Sequence, residues 1–136
     1  MNNRIQRCFQ LAINMVDFSE EAQRLGAVIF HKKHPVAVGW NTNKTNPIQK
    51  KYSIYRRFDP ELFKCPLHAE MMACLNLKKT SFPPEECVLF VARKYKKGGI
   101  ALSKPCPACE NAIRDMGIKT VYYTISENEY GVLKLK

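Results

Sequence analysis

The feature that most constrains the fold is a wholly apolar run at residues 87–92, which reads CVLFVA. A strand without alternation between polar and apolar residues must be covered on both faces, as in a sheet that lies between helices. Residues 27–30, which read AVIF, form a second run of this kind. Neither run approaches the roughly 20 apolar residues of a membrane-spanning helix. We therefore expect a covered sheet and no membrane partner.

Helical periodicity occurs on either side of these strands. Apolar residues recur at helical spacing over residues 4–17, which predicts an amphipathic helix. Residues 68–79 and 106–116 are two further predicted helices, the second ending at Gly117, a residue suited to a left-handed cap. Residues 26–30 and 36–40 are predicted to form a hairpin, and further strands are predicted at residues 87–92, 119–125 and 132–135.

Two stretches are predicted to be loops. Residues 41–64 show no sustained period, and a loop of this length inside a compact domain is usually functional. Residues 94–105 are basic and contain two adjacent glycines. The order of elements predicts an α/β fold with one mixed sheet of about five strands and helices on both faces. The 136 residues suit one domain, residues 1–136.

The connection to the final strand is short. Only eleven residues follow Ile125, and a parallel crossover needs about a dozen before its strand begins. The last two strands are therefore predicted to be antiparallel.

Positive charge is concentrated in two segments. The chain has 22 basic and 12 acidic residues, a formal net charge of +10. Residues 31–64 contain eight basic and two acidic residues, and residues 93–104 contain five basic residues and no acid. Such clustering indicates a site for phosphate or polynucleotide. The alternative is that the charges only keep exposed loops soluble.

The six cysteines point to a reducing compartment. The N-terminus shows no basic region followed by an apolar stretch, so no secretory signal is visible and a cytoplasmic location is expected. Cys8, Cys74 and Cys87 fall on apolar faces and are expected in the core. His31 and His34 lie in a charged turn and are expected to be exposed.

Two short motifs contain the residues expected to perform chemistry. His68-Ala69-Glu70 stands at one predicted helix start, and Pro105-Cys106-Pro107-Ala108-Cys109 stands at another. One histidine and two cysteines are the number of protein ligands that a catalytic zinc uses. A structural zinc site would need a fourth ligand, and Cys65 is the candidate. Glu70 favours the catalytic interpretation, because a carboxylate that is not a ligand can carry protons beside the metal.

Together the two motifs resemble the zinc nucleobase deaminases, whose signature is H-x-E followed by P-C-x-x-C. The chain is similar to the cytidine/deoxycytidylate deaminase superfamily over residues 26–124, and in particular to small phage-type deoxycytidylate-like members. The resemblance implies a three-layer α-β-α fold and hydrolytic deamination of cytosine. It also implies zinc held by His68, Cys106 and Cys109, with Glu70 as the catalytic proton carrier.

The resemblance also implies substrate-binding residues. Asn41, at the end of the second strand, and the backbone near Ala69 are expected to position the ring and sugar. Lys44 opens a loop similar to the one after this strand in the phage-type members. Lys104 leads into the second motif, and with Lys94, Lys96 and Lys97 it is expected to surround the mouth of the pocket.

The chain combines features of different branches of the family. An antiparallel final strand resembles the free-cytidine deaminases and some polynucleotide-acting deaminases. The free-cytidine deaminases, however, usually have cysteine as first ligand and lack the basic excess. We therefore expect a cytosine nucleotide such as dCMP as the substrate. The alternatives are cytosine in single-stranded DNA or RNA, which the mixed basic and aromatic residues at 50–58 favour, and then adenine in RNA. A non-enzymatic zinc module that binds nucleic acid is a further alternative, and homo-oligomerisation is an expectation from the family.

Overall fold

A mixed β-sheet lies at the centre of the protein. The structure is a computed structural model, and it describes residues 2–44, 46–52 and 67–135. The helices are α1 (Asn3–Val16), α2 (Pro47–Tyr52), α3 (Ala69–Lys78) and α4 (Pro107–Met116). The strands are β1 (Arg24–His31), β2 (His34–Trp40), β3 (Cys87–Lys94), β4 (Ile100–Ala101), β5 (Thr120–Thr124) and β6 (Tyr130–Lys134).

Strand order agrees with the predicted mixed sheet. The strands lie in the order β2-β1-β3-β5-β6, and β4 pairs with the end of β3. Among the described strands only β3 and β5 pair in parallel, and β6 returns antiparallel to β5 as predicted. Six strands in the described residues replace the expected five, because the two-residue β4 lies inside the predicted basic loop.

Alternating side chains of β1 point to opposite faces of the sheet. Ala27 and Ile29 pack in the core beneath α3 and α4, whereas Val28 and Phe30 pack against α1. Ile29 is fully buried. Burial of a large aliphatic side chain to this extent contributes about 1.5–3 kcal/mol to the free energy of unfolding, relative to an exposed side chain. Helices on both faces give the predicted three layers, and the covering explains why these strands are apolar throughout.

One glycine allows α3 to lie close against the sheet. A Cβ at Gly39, on β2, would collide with the carbonyl oxygen of Ala69 and the backbone nitrogen of Ala73. The start of α3 therefore rests directly on the backbone of β2. This contact fixes the position of His68 and Glu70, which lie at that end of the helix.

The prediction that residues 41–64 form a loop throughout was wrong. Residues 47–52 form α2, which begins where the Asn46 side chain accepts a hydrogen bond from the Ile48 N–H at 3.0 Å. The Tyr52 hydroxyl donates to Asp115 on α4 at 2.7 Å. Such a short helix has almost no stability of its own, and tertiary contacts stabilise it instead. Residues 53–66, which include Cys65 and most of the basic and aromatic stretch, lie outside the described residues.

No described helix has both the length and the apolar character needed to cross a bilayer.

Candidate metal centre and substrate cleft

The N-terminal ends of α3 and α4 bring three metal-binding side chains together. His68 immediately precedes α3, Cys106 immediately precedes α4, and Cys109 lies in the first turn of α4. The Nδ1 atom of His68 lies 3.1 Å from the Cys109 sulfur and 3.7 Å from the Cys106 sulfur. All three ligand atoms lie within 4.8 Å of one another. The two sequence motifs thus meet in one cluster.

The cluster fits a tetrahedral zinc ion. Zinc bonds of about 2.3 Å to sulfur and 2.0–2.1 Å to nitrogen place tetrahedral ligands roughly 3.5–3.8 Å apart. The spacing of the His68 nitrogen from the two sulfurs lies near this range, and one imidazole with two thiols is a donor set that zinc prefers. Three ligands leave one position open. Cys65, the candidate fourth ligand, lies outside the described residues.

The two thiols of the cluster share a hydrogen bond and differ in acidity. The bond from Cys109, assisted by His68, lowers the pKa of Cys106 to about 4. The same bond and burial raise the pKa of Cys109 well above its usual value. Metal binding must therefore displace the Cys109 proton. Outside the cluster, burial raises the pKa of Cys8, Cys74 and Cys87, which is consistent with packing roles for these thiols.

Glu70 is a buried carboxylate beside the cluster. It is the second residue of α3 and is only 2% exposed. Its Oε1 atom has no hydrogen-bond partner among the described residues. Burial raises the pKa of Glu70, against the opposing effect of His68. A buried carboxylate oxygen without a partner is costly, so this atom is suited to a ligand, a metal-activated water or a proton.

A cleft of about 440 Å³ opens beside Glu70 and the cluster. Its lining includes His68, Cys106, Glu70 and two cations, Arg93 and Lys104. The remaining lining residues are Glu21, Ala22, Gln23, Leu25, Asn41, Thr42, Leu67, Leu102 and Ser103. The cleft therefore combines two side chains of the metal cluster, a buried carboxylate and two cations.

The expected substrate-binding residues are only partly brought together. Asn41 and Lys104 line the cleft. Lys44 lines a neighbouring depression, which adjoins the cleft at Asn41 and Thr42. Ala69 is fully buried and lies outside the lining. Of the four lysines expected around the mouth, Lys104 lines the cleft, whereas Lys94, Lys96 and Lys97 do not.

The Asn41 side chain holds the wall of the cleft. Its Oδ1 atom accepts from the Ser19 hydroxyl at 2.7 Å and from the Leu25 N–H at 2.9 Å, and its Nδ2 donates to the Gln23 carbonyl at 2.6 Å. These three bonds attach β1 and the segment before it to the end of β2. The substrate contact expected for Asn41 stays a prediction, because its amide is already bonded within the chain.

Arg93 is a cleft residue that the sequence analysis missed. Its Nε is buried and has no hydrogen-bond partner among the described residues, and its Nη1 lies 3.5 Å from the Leu102 carbonyl. The neighbouring Lys94 instead pairs with Asp17 at 3.2 Å. The alternation of side chains along a strand could have predicted this difference between Arg93 and Lys94. Position 93 lies on the same face as Val91, which packs beneath α3, whereas position 94 lies on the opposite face.

Gln49 and Ser103 were also missed. The Gln49 side chain, 2% exposed, accepts from the His68 N–H at 3.1 Å. The Ser103 hydroxyl donates to the Val91 carbonyl and accepts from the Thr124 N–H, both at 2.8 Å, and so fixes the segment that leads to Cys106. Neither residue has a sequence signal, because each acts through partners distant in the chain.

The chain belongs to the family described as the cytidine and deoxycytidylate deaminase zinc-binding region, whose model matches residues 2–125. This match spans both motifs and the whole described cleft. A comparison with curated protein sequences found no match.

Solved structures show the same fold. Cytidine deaminase from Burkholderia pseudomallei is 16% identical, with a TM-score of 0.67, and the alignment covers 98% of this chain and 93% of that one. The dCMP deaminase from cyanophage S-TIM5, in apo form, is 22% identical with a TM-score of 0.62, covering 94% and 88% of the two chains. The same phage enzyme in complex with dCMP and dUMP aligns with a TM-score of 0.60 at 22% identity, covering 89% and 81%.

Proposed function

We propose that this protein is a zinc-dependent deaminase that hydrolyses cytosine to uracil on a pyrimidine nucleotide such as dCMP. The observation that carries the proposal is the buried, unbonded Oε1 of Glu70 beside a histidine and two cysteines in an open cleft. A structural zinc module has no use for such a carboxylate. Membership of the deaminase family supports the reaction class.

His68, Cys106 and Cys109 would hold the zinc. Bound there, zinc supplies Lewis-acid activation of a water molecule near neutral pH. Glu70 accepts the proton of that water on Oε1 and delivers it to N3 of the ring while oxygen adds to C4. Glu70 then takes the proton of the hydroxyl group now on C4 and transfers it to the amino group, which leaves as ammonia as the C4–N bond breaks and the C4 carbonyl forms. The pKa of Glu70, which burial raises, suits both steps, because the carboxyl holds a proton more readily than an exposed glutamate does.

The charge of the cleft favours a phosphorylated substrate. Arg93 and Lys104 face the cleft, and neither forms an ion pair among the described residues. Arg93 is half-buried, and a cation partly removed from water without a counter-charge is costly, so a substrate phosphate would compensate it. Lys104 is exposed and adds positive charge at the cleft. The phage dCMP deaminase with dCMP and dUMP is consistent with such a substrate. Asn41, the backbone at Ala69 and, at the outer edge, Lys44 are assigned to positioning of the sugar and ring.

A second candidate function is deamination of cytosine in single-stranded nucleic acid. The β3–β4 hairpin, whose base contributes Arg93 to the cleft, has exposed Tyr95, Lys96 and Lys97 near its tip. An aromatic ring with adjacent cations suits a stacked base and its phosphates. Adenine deamination is the weaker variant of this candidate. In either case the thiol ligands must stay reduced, which agrees with a cytoplasmic site of action.

A competition assay separates the candidates. Zinc-loaded protein is mixed at low salt with dCMP and a cytosine-containing single-stranded oligonucleotide, and mass spectrometry follows replacement of the amino group by oxygen in each. We expect conversion of dCMP, with Glu70→Gln as the inactive control. Conversion of the oligonucleotide alone would reject the nucleotide proposal. Conversion of neither substrate by protein that contains zinc would reject the cytosine deaminase proposal.

A further inference from the structure

One glutamine contacts two parts of the metal cluster. Gln49 lies in α2 and is 2% exposed, with its side chain reaching the start of α3 and the first turn of α4. Its Oε1 accepts the N–H of His68 at 3.1 Å. Its Nε2 is directed at the sulfur of Cys109, at 4.0 Å. A single carboxamide therefore joins a histidine and a cysteine of the cluster.

We propose that Gln49 is a positioning residue for the zinc centre, which sets the separation of His68 and Cys109 and donates a hydrogen bond to the Cys109 sulfur. The inference rests on the zinc role proposed above for the cluster. Groups that hydrogen-bond to metal ligands without contacting the metal fix the orientation of those ligands and commonly govern metal affinity. A hydrogen bond to a sulfur that carries negative charge also stabilises that charge.

Helix α2 is held firmly enough for this role. The Tyr52 hydroxyl, one turn after Gln49, donates to Asp115 on α4 at 2.7 Å. Asn46 caps the start of the helix through the Ile48 N–H. Bonds at both ends of a six-residue helix restrict the movement of the side chain between them. The position of Gln49 is therefore tied to α4, the helix that contains Cys109.

A glutamine provides both contacts, whereas similar side chains provide one or none. Leucine fills a similar volume and forms neither hydrogen bond. Glutamate keeps an acceptor for the His68 N–H but removes the donor to sulfur. It would also place a second carboxylate near Glu70 and the thiols. The two substitutions therefore separate the hydrogen bond to the backbone from the hydrogen bond to the metal ligand.

The test measures metal affinity. Zinc dissociation constants are determined by competition with a chromophoric chelator for the wild type, Gln49→Leu, Gln49→Glu and Gln6→Leu. Gln6 is an exposed glutamine on α1 and provides the matched control. We expect Gln49→Leu to weaken zinc binding roughly 10- to 100-fold, Gln49→Glu to weaken it at least as much, and Gln6→Leu to leave it unchanged.

A cobalt spectrum gives a second readout. Cobalt(II) in place of zinc should show altered ligand-field and sulfur-to-cobalt bands in both Gln49 variants, because the ligands shift. Circular dichroism of the apo-proteins verifies folding, and Tyr52→Phe tests whether loosening α2 from α4 alone weakens zinc binding. We expect Tyr52→Phe to have a smaller effect than Gln49→Leu.

The outcomes are distinguishable. Wild-type zinc affinity and an unchanged cobalt spectrum in Gln49→Leu would overturn the positioning role. Full affinity in Gln49→Glu would overturn the proposed bond to sulfur, as would equal losses in Tyr52→Phe and Gln49→Leu. Failure of the wild type itself to bind zinc would overturn the proposed metal site, and this inference with it. Zinc binding without deamination would leave the positioning role standing while rejecting the proposed reaction.

Discussion

The Nδ1 atom of His68 lies 3.1 Å from the sulfur of Cys109, although 41 residues separate them in the chain. The approach occurs because α3 and α4 both begin on the same side of the sheet, next to the end of β3. Helix N-termini favour negative charge, so two of them facing one point favour the thiolate of Cys106 and oppose the hydrogen bond with Cys106 and the burial that raise the pKa of Cys109. Glu70 and the open cleft lie beside the same point, so the buried carboxylate and the three side chains that could hold a metal form one site.

Loss of a thiol from the cluster should remove the metal. We expect Cys109→Ser to contain little zinc after purification, because one of three protein ligands is lost. Elemental analysis gives the zinc content per chain. Cys8→Ser is the matched control, since Cys8 lies on α1 far from the cluster and should leave zinc content unchanged. A wild-type zinc content in Cys109→Ser would exclude this cysteine as a ligand.

Arg93 should distinguish a nucleotide from a nucleoside. We expect Arg93→Ala to lower kcat/KM for dCMP roughly 10- to 100-fold, because a hydrogen bond to a charged group contributes about 1.5–3 kcal/mol. The loss should lie mainly in KM, and the smaller activity with deoxycytidine should change little. Lys97→Ala, on the exposed turn after β3, serves as control. Equal losses with dCMP and deoxycytidine would rule out phosphate recognition by Arg93.

The contact between Gly39 and α3 should be sensitive to a single methyl group. We expect Gly39→Ala to lower the free energy of unfolding by about 1–3 kcal/mol, because overpacking forces the helix away from the sheet. Urea titration measures this loss, and weaker zinc binding should accompany it. Gly98→Ala is the comparison, because its Cβ would have open space and only the φ of 93° is unfavourable. We expect it to lower the free energy of unfolding by only about 1 kcal/mol and to leave zinc binding unchanged. Unchanged stability in Gly39→Ala would show that α3 is not held by this contact.

Salt should affect the binding of a nucleotide and the binding of single-stranded nucleic acid differently. Binding of single-stranded nucleic acid weakens with salt by a logarithmic slope of about 0.7 per phosphate contacted. We expect KM for dCMP to rise only slightly between low and physiological salt, whereas inhibition by a cytosine-free oligonucleotide should disappear. A KM for an oligonucleotide substrate that lies below that for dCMP at physiological salt would favour the strand-acting alternative.

The sequence predicted most of the fold because its strands are covered on both faces. The apolar runs around Ile29 and Leu89 could only be interior strands, and the final antiparallel return followed from the short connection before Tyr130. The cluster was predictable as well, because two spaced motifs at helix starts limit where His68 and Cys106 can lie. Predicted element boundaries differed from the observed ones by one or two residues in most cases.

The rest of the site depends on contacts between distant residues. Helix α2 has no apolar period, so the short segment that contains Gln49 read as loop. In the sequence, Arg93 was only one of five cations in the basic segment 93–104, and the structure places it at the end of β3 in the cleft lining. Asn41 was predictable as a cleft residue from its place after β2, but its hydrogen bonds to Ser19, Leu25 and Gln23 depend on residues distant in the chain.

The rate of Glu70→Gln with zinc bound is the most direct test of the account. Deamination of dCMP by the wild type, Glu70→Gln and the exposed-residue control Glu85→Gln is followed by mass spectrometry, with zinc content measured in each. We predict that Glu70→Gln keeps its zinc but loses activity by roughly 10²- to 10⁴-fold, because proton transfer in the transition state is lost. Glu85→Gln should match the wild type. Substantial activity in zinc-containing Glu70→Gln would contradict the proposed mechanism.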